Sequence, residues 1–441
     1  MAAFIKEHAD CFKTKSRNSH ELAARYVGGL LSQTQRKNME RMDERLGADE
    51  SLCADTYEAT QQFISSSPWD ESELYARVAQ RANERLGGTA QSVLSIDESA
   101  NAKKGEASVG VARQWNGRLG KEDNCQVGVY SALSCGSHVC LVGARLYLPK
   151  EWTQDSERCR KAGVPQERLE RGDQTKIDHA RELILEARAN GIEFGCVAMD
   201  GFYGRDSTLR RFLEQERLTY CVDVPGNARL FASKPKDRKR PAKITEHTRS
   251  VEQIAADLFG RRADEQQRVV LRAGDNGQVE AQVRRVRVWE WTQGEEKPEE
   301  LWLIVRRMPD GDFKHSLSNA PVATTLKRLA QWQAARFWVE RCFQDAKSHC
   351  GMAQYQSRGW LAWHHHMALV ALAVLFVMQE RLGGALEIDD LTAADVVELM
   401  EWALIKRPSE AVLIARIEKR HRKRRAAAAS KHQAQKRRRR V

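Results

Sequence analysis

The chain of 441 residues has no unbroken apolar run of about 18 residues, which is the length that a membrane-spanning helix needs. Its longest apolar stretch, 367–378, is too short to cross a bilayer. The first residues carry charges where a secretion signal would need an apolar core. We therefore expect a cytoplasmic protein with no membrane partner.

Cysteine pairs at metal-binding spacing are also missing. The ten cysteines are scattered, with no Cys-x-x-Cys pair, which argues against a zinc ribbon and against a disulfide framework. Cys196 and Cys221 stand in apolar runs, as expected of core residues in a reducing compartment. Any site chemistry is therefore expected to come from other residue types.

Most of the chain lacks an excess of positive charge. The formal net charge is +12, yet residues 416–441 hold 13 Lys and Arg against one acid, Glu418, so residues 1–415 are neutral as a whole. A dense basic segment binds nucleic-acid phosphates by releasing counterions. It can also be a solvated terminus that only aids solubility. We interpret 416–441 as a basic DNA-binding tail.

The first 88 residues have a helical pattern. Few helix breakers occur between Glu21 and Arg45 apart from two glycines, which predicts one helix there. A second helix is predicted to begin with Ser67 as N-cap and Pro68 at the first helical position. Such a region is compatible with DNA binding and equally with a scaffolding role. We predict an N-terminal helical DNA-binding domain at 1–88.

The next segment, 89–226, alternates between strand and helix patterns, which indicates an α/β fold with a mixed sheet. We take it as the first part of a catalytic core. Its predicted strands are 92–97, 126–133, 138–148, 194–199 and 218–224, and its predicted helices are 176–189 and 207–216.

The remaining chain divides into three parts before the tail. Residues 227–322 are predicted to form a β-rich insertion, with strand-like runs at 268–272, 279–288, 301–305 and 314–318. Residues 323–384 return to helices, one over 324–351 and one over 363–382, and form the second part of the core. Residues 385–415 are predicted as a C-terminal helical region.

Three acids stand out by position. Asp97 and Asp200 are each predicted to close an apolar strand, and Glu340 lies inside a long helix. Acids at strand ends often mark sites at the edge of an α/β sheet. Carboxylate oxygens suit Mg²⁺, and two such ions can activate a nucleophile and stabilise a leaving oxygen. The same acids could be turn formers. Glu98 follows Asp97, but only one of the two side chains should enter a site.

The helix around Glu340 carries two cations on the same face. Arg336 and Lys347 stand at i−4 and i+7, which at about 100° per residue keeps all three within roughly 60° of one another. A metal-binding acid flanked by cations suits a site that holds a scissile phosphate. The alternative is an exposed ion pair of little energetic weight.

The chain resembles the DDE transposases of bacterial insertion sequences, in particular family 701, a relative of family 4. The matching segments follow one another in order along nearly the whole chain. They are Ser67-Pro68-Trp69-Asp70, Lys103-Lys104-Gly105, 108–129, 146–152, 199–204 and Leu317-Ser318-Asn319-Ala320.

The resemblance implies an RNase H-like core in which Asp97, Asp200 and Glu340 hold Mg²⁺, with Mn²⁺ able to substitute. It implies binding to terminal inverted repeats, cleavage of the ends with water as nucleophile, and cut-and-paste transfer of the 3′-OH ends to target DNA. Pairing of two ends implies a homodimer on double-stranded DNA. The family 4 motif Tyr-x2-Arg-x3-Glu-x6-Lys is matched except that Gln333 stands at the Tyr position, where Trp332 or Trp338 could supply stacking instead.

Several further residues are candidates for DNA contact. Four cations in a Gly-rich segment after the first catalytic strand could bind phosphates, namely Lys103, Lys104, Arg113 and Arg118. They could equally be exposed residues without a role. Trp115 and Tyr203 could stack on a base, although a core position is the alternative for each. Asp206, Asp223 and Asp345 are interpreted as turn, cap or surface groups.

Two other functions remain open at this stage. One is an RNase H-like nuclease that cuts without joining strands, and the other is a non-catalytic DNA-binding protein derived from a transposase. The intact set of three acids with Arg336 and Lys347 argues against the second, because a binding module does not need it.

Overall fold

The N-terminal residues form a helical layer in this computed structural model. The structure describes residues 1–15, 17–34, 36–46, 56–117, 119–236, 239–241, 243–260, 267–274, 277–383 and 391–404, with positions 414, 418, 421, 422, 425 and 426. Most of the tail, most of the C-terminal helical region beyond 404, and Arg118 lie outside these residues. The first helices are α1 (Ala2–Lys6), α2 (His20–Leu30), α3 (Met39–Leu46), α4 (Thr56–Ser65) and α5 (Glu71–Leu86).

Two details of this layer differ from the sequence-based prediction. The predicted single helix is two helices, α2 and α3, which pack so closely that a Cβ added at Gly29 would lie 2.7 Å from the Cβ of Met42. The helix predicted to begin at Pro68 begins at Glu71, because the Asp70 side chain accepts a hydrogen bond from the Ser72 amide at 2.8 Å and caps it. Asp70 therefore takes the role predicted for Ser67.

A mixed sheet follows the helical layer. Its strands in the first part of the core are β1 (Val93–Ala102), β2 (Ala112–Asn116), β3 (Lys121–Cys135), β4 (His138–Leu146), β5 (Cys196–Met199) and β6 (Tyr220–Asp223). Strands β1, β5 and β6 are parallel to one another, whereas β3 is antiparallel to β1 and also pairs with β2 and β4. This is a large mixed α/β sheet of the RNase H-like kind, as the fold class predicted.

Asp97 lies in the middle of β1, not at its end as predicted. The strand continues to Ala102, which pairs with Cys125 on β3. The second half of β1, Glu98 to Ala102, has few β-formers of its own. It is extended because the long strand β3 provides a partner along its whole length.

The β-rich segment extends the same sheet. A short two-stranded sheet, β7 (Arg229–Leu230) with β8 (Arg249–Ser250), precedes β9 (Gln267–Gly274), β10 (Gly277–Glu290), β11 (Glu299–Arg307) and β12 (Phe313–Ser318). Strand β12 is antiparallel to β6, so the sheet order is β2-β3-β1-β5-β6-β12-β11-β10-β9 with β4 beside β3. The insertion is thus hydrogen-bonded to the core.

Helices cover both faces of the sheet. Between β4 and β9 these are α6 (Lys150–Thr153), α7 (Ser156–Lys161), α8 (Gln166–Glu170), α9 (Lys176–Ala189), α10 (Gly201–Gly204), α11 (Ser207–Gln215) and α12 (Val251–Gly260). After β12 come α13 (Leu326–Ser348), α14 (Trp360–Arg381) and α15 (Ala393–Leu404). Apolar residues of α13 cluster with Val93, Ala198 and Cys221 on one face. Helix α9 packs on β3 and β4.

Helix α14 is the buried centre of the molecule. By length and apolar composition alone it could cross a membrane, but 94% of its apolar stretch is buried inside the protein. It contacts α2, α4, α5 and β4, and so joins the helical layer to the sheet. One such junction is the stack of His365 on Trp69, with ring centroids 3.8 Å apart. The helix is longer than the apolar run in the sequence because it includes Trp360 and three buried histidines.

Candidate active site

Two of the predicted acids are neighbours on adjacent parallel strands. Ile96 of β1 pairs with Met199 of β5, so the next residue of each chain segment, Asp97 and Asp200, continues the same row. Neighbouring strands are about 4.8 Å apart. Asp200 also caps α10, since its Oδ1 accepts hydrogen bonds from the amides of Phe202 at 2.9 Å and Tyr203 at 3.2 Å. The cap fixes this carboxylate beside Asp97.

Asp97 is a buried carboxylate whose ionised form is destabilised by its surroundings. Only 7% of the residue is exposed. Burial, followed by the nearby charge of Asp200, raises the pKa of Asp97 to about 7, while Arg336 opposes the rise. A buried carboxylate next to a second one is stabilised by any cation that binds both. The pair is therefore a favourable location for positive charge.

Arg336 occupies that location and links the third acid to it. Its Nη1 lies 2.5 Å from Glu340 Oε1 and 3.6 Å from Asp97 Oδ2. Glu340 is one helical turn further along α13, and its side chain is 51% exposed. Burial would lower the pKa of Arg336, but the surrounding carboxylates, led by Glu340, raise it above its ordinary value. The guanidinium of Arg336 thus contacts Asp97 and Glu340, and its charge also interacts favourably with Asp200.

A fourth acid, Asp223, belongs to the same row. Met199 pairs with Val222 of β6, which places Asp223 next to Asp200 on the side away from Asp97. Asp223 Oδ2 lies 3.3 Å from Arg336 Nε, and its Oδ1 accepts a hydrogen bond from Ser316 at 2.5 Å. The sequence interpretation as a turn or surface group is wrong. The signal was available, because Asp223 closes an apolar strand just as Asp200 does.

The donor set suits a hard divalent cation only in part. Among the residues that the structure describes, no three His, Cys, Asp or Glu side chains converge closely enough to form a complete metal site. Asp97 and Asp200 supply two adjacent oxygen donors, and Glu340 is held by Arg336. One or two carboxylates per ion are sufficient when substrate phosphate and water supply the other oxygens. The acids therefore fit ions whose remaining positions are filled by water or by a phosphate.

Glu98 does not belong to the site. Its carboxylate lies 2.7 Å from Lys176 Nζ on α9, which covers the opposite face of the sheet. This agrees with the expectation that only one of the two consecutive acids would enter the site.

The two lysines nearest the site are partly buried. Lys347 Nζ donates a hydrogen bond to the Ala100 carbonyl at 3.1 Å, which places it along β1 from Asp97. Lys103 Nζ lies 3.4 Å from the Tyr355 carbonyl oxygen and 3.6 Å from the centroid of its ring. Burial lowers the pKa of Lys103 to about 8. Lys103 is therefore a packed residue that would have to move to reach a phosphate.

The hairpin of β2 and β3 presents the exposed candidates. Arg113 and Trp115 stand two residues apart on β2, and 54% of Trp115 is exposed. Lys104 is also exposed, in the loop after β1. Tyr203, by contrast, is fully buried, with its ring 5.1 Å from that of Phe202 in an edge contact. The structure gives Tyr203 no free face for a base and does not support that predicted role.

The position of the missing family Tyr is enclosed. Gln333 is only 3% exposed, and neither polar atom of its amide has a hydrogen-bond partner within the described part of the chain. Trp332 is also buried, and its indole donates to the Ala90 carbonyl at 2.9 Å. Trp338 is partly buried against the main core. The indole of Trp332 is therefore committed to packing.

Comparisons with known proteins identify the family of the chain. A family model described as "DDE superfamily endonuclease" matches residues 7–298. A relative from Microchaete diplosiphon, described as "Probable transposase for insertion sequence element IS701", is 25% identical over 358 residues, which cover 80% of this chain and 81% of the relative. The crystal structure of the NurA nuclease from Sulfolobus solfataricus aligns with 72% of this chain and 96% of its own, at 9% identity and a TM-score of 0.27. The chain belongs to the DDE superfamily of endonucleases.

Proposed function

We propose that this endonuclease is the transposase of an insertion sequence. It would bind the terminal inverted repeats, cleave the ends and transfer the 3′-OH ends to target DNA by a cut-and-paste route. The observation that carries the proposal is the contact of Arg336 with both Asp97 and Glu340, beside Asp200 on the neighbouring strand. The insertion-sequence relative, which matches most of both chains, supports it.

The three acids take the role of metal ligands in this proposal. Bound Mg²⁺ or Mn²⁺ ions would activate the attacking water or 3′-OH and stabilise the leaving oxygen. Asp97 and Asp200 are fixed by the sheet and by the cap of α10. Glu340 is on the exposed side of α13, where it can meet DNA. Arg336 would neutralise the acids in the absence of ions and contact the scissile phosphate in the complex, with Lys347 as a second cation.

DNA is held by surfaces outside the acid site. Exposed Lys104 and Arg113 would contact phosphates, and Trp115 would stack on a base. Arg118 and the tail 416–441, most of which lies outside the described residues, are proposed as further DNA contacts. Two DNA ends must be paired for joining, so we propose a homodimer in the complex, located on the bacterial nucleoid.

A strand-transfer assay on end-sequence DNA with Mg²⁺ tests the proposal. Asp200→Asn removes the charge but keeps a side chain that caps a helix well. Asp206→Asn is its matched control, because Asp206 caps α11 in the same way, with a 2.9 Å bond to the Leu209 amide. We expect Asp200→Asn to abolish cleavage and joining, and Asp206→Asn to retain both.

The other functions are outcomes of the same assay. Cleavage without joined products would indicate a nuclease that lacks strand transfer. Binding of end DNA with neither reaction in the wild-type protein would indicate a non-catalytic DNA-binding protein. Full activity of Asp200→Asn would refute the assignment of the acid site.

A further inference from the structure

Arg336 contacts three carboxylates, and one of them is not among the proposed metal ligands. Its Nη1 meets Asp97 and Glu340, whereas its Nε lies 3.3 Å from Asp223. Cations bound to Asp97 and Glu340 would repel a guanidinium at Nη1. The contact with Asp223 is therefore the one that can persist when the acids carry metal ions.

The carboxylate of Asp223 is held in place by the sheet. Residue 223 pairs with Ser316 across β6 and β12, and the Ser316 hydroxyl donates to Asp223 Oδ1 at 2.5 Å. This occupies one carboxylate oxygen and leaves Oδ2 for Arg336. A side chain fixed on paired strands positions its partner more accurately than one on a loop does.

A buried cation lies on the other side of Asp223. Arg306 of β11 is 8% exposed, its charge interacts favourably with Asp223, and it repels Arg336. Its Nε has no hydrogen-bond partner in the part of the chain that the structure describes. Asp223 thus stands between two guanidinium groups and offsets their repulsion. Loss of its charge would push Arg336 away from Arg306.

We propose that Asp223 is a positioning residue that holds Arg336 beside the Asp97–Asp200 pair, so that the guanidinium is presented to the scissile phosphate when metal ions bind. The presence of a scissile phosphate rests on the proposed function, whereas the contact between Asp223 and Arg336 is present in the DNA-free protein. The rival interpretation is that Asp223 is a fourth metal ligand, since it continues the acid row.

Metal titrations of the DNA-free protein distinguish a positioning role of Asp223 from a metal-ligand role. Binding of Mn²⁺ is followed by thermal shift in wild type, Asp223→Asn, Arg336→Gln and the double variant. We expect Asp223→Asn alone to raise the Mn²⁺ midpoint roughly 3- to 30-fold, because the released guanidinium then competes for Asp97 and Glu340. With Arg336→Gln already present, Asp223→Asn should shift the midpoint less than about twofold.

Two results would overturn the proposal. An equal rise of the midpoint in both backgrounds would make Asp223 a metal ligand, and no rise in either would show that it does not act through Arg336. The matched control is Asp345→Asn with Arg341→Gln, which removes an ion pair 3.2 Å apart on α13, the helix that carries Arg336. This pair should leave the midpoint unchanged.

Single-turnover cleavage of end DNA gives the second readout. Asp223→Asn should lower the maximal rate about 10- to 100-fold, as removal of a residue that supports a metal site does, while half-saturation by DNA stays within about threefold of wild type. When Arg336→Gln is already present, Asp223→Asn should not lower the cleavage rate further. A double variant whose rate loss is the product of the two single losses would contradict the proposal. A wild-type protein that cleaves no DNA would refute the proposed function, whereas the Mn²⁺ titration would still decide the role of Asp223.

Discussion

Asp97 and Glu98 are consecutive in the chain, yet their carboxylates lie on opposite faces of the sheet. Asp97 faces α13 and lies 3.6 Å from Arg336, whereas Glu98 lies 2.7 Å from Lys176 on α9. Alternation along a strand produces this separation. The two residues are alike in charge and place in the chain but differ in the face they occupy, so each serves as the control for the other.

This separation predicts opposite effects of two similar substitutions. Removal of a residue that only supports a metal site typically lowers activity roughly 10- to 100-fold. Asp97→Asn should reduce the cleavage rate by well over this factor. Glu98→Gln should leave cleavage within a few-fold of wild type, because its carboxylate pairs with Lys176 on the other face of the sheet. Rates measured at saturating Mg²⁺ check this. Comparable losses in both variants would contradict the assignment of faces.

The raised pKa of Asp97 predicts how the stability of the metal-free protein depends on pH. The pKa is about 7 in the folded state against 3.8 for an ordinary aspartate. Between these values the folded protein holds a proton that the unfolded chain has released, so stability from this group is complete below about pH 4 and is lost as the pH rises through 7.

Asp97→Asn should therefore stabilise the metal-free protein at pH 8, by up to about 4 kcal/mol for a shift of this size. The gain should shrink toward pH 5, and it should disappear near pH 4. Urea unfolding of both proteins in EDTA at several pH values measures the difference. Added Mg²⁺ should narrow the gap at pH 8 by stabilising the wild type. A gain that is the same at pH 5 and pH 8 would show that Asp97 is not the titrating group.

The exposed ring of Trp115 predicts a contribution to DNA binding without a contribution to folding. Stacking of an aromatic ring on a base contributes about 1–3 kcal/mol, so Trp115→Ala should weaken binding of end DNA roughly 5- to 150-fold with little change in Tm. Trp402, which is 85% exposed on α15, provides the matched control. Trp402→Ala should bind as wild type does, and equal losses in both variants would argue against a specific role of the hairpin.

Local patterns predicted much of the fold. Helices α9 and α11 and strand β10 lie within a few residues of their predicted positions. In each segment the apolar residues recur at regular spacing and polar or turn-forming residues follow. The second half of β1 was missed because its extension depends on long-range pairing with β3. The connection of β12 to β6 also joins distant segments, which no local period reveals.

The site shows the same division between local and long-range information. Asp97 and Asp200 were predicted to share a site because each was expected to close a strand of the same sheet. The convergence of Glu340 depended on the family resemblance, since a helix face alone does not tell what it covers. Tyr203 takes the core position that the sequence left as the alternative to stacking, and Trp115 does not.

The basic tail predicts a measurable salt dependence of DNA binding. Each phosphate that the protein no longer neutralises should reduce the slope of log affinity against log salt by about 0.9. Truncation after Ala415 removes 13 Lys and Arg, so we expect the slope to fall by several such steps and binding at low salt to weaken most. A variant with the tail residues in shuffled order keeps the same charge and should retain the wild-type slope. Fluorescence anisotropy between 50 and 300 mM salt, about the range in which such interactions are screened, measures both. An unchanged slope after truncation would remove the tail from the DNA interface and leave the Lys104 and Arg113 surface to account for the electrostatic attraction.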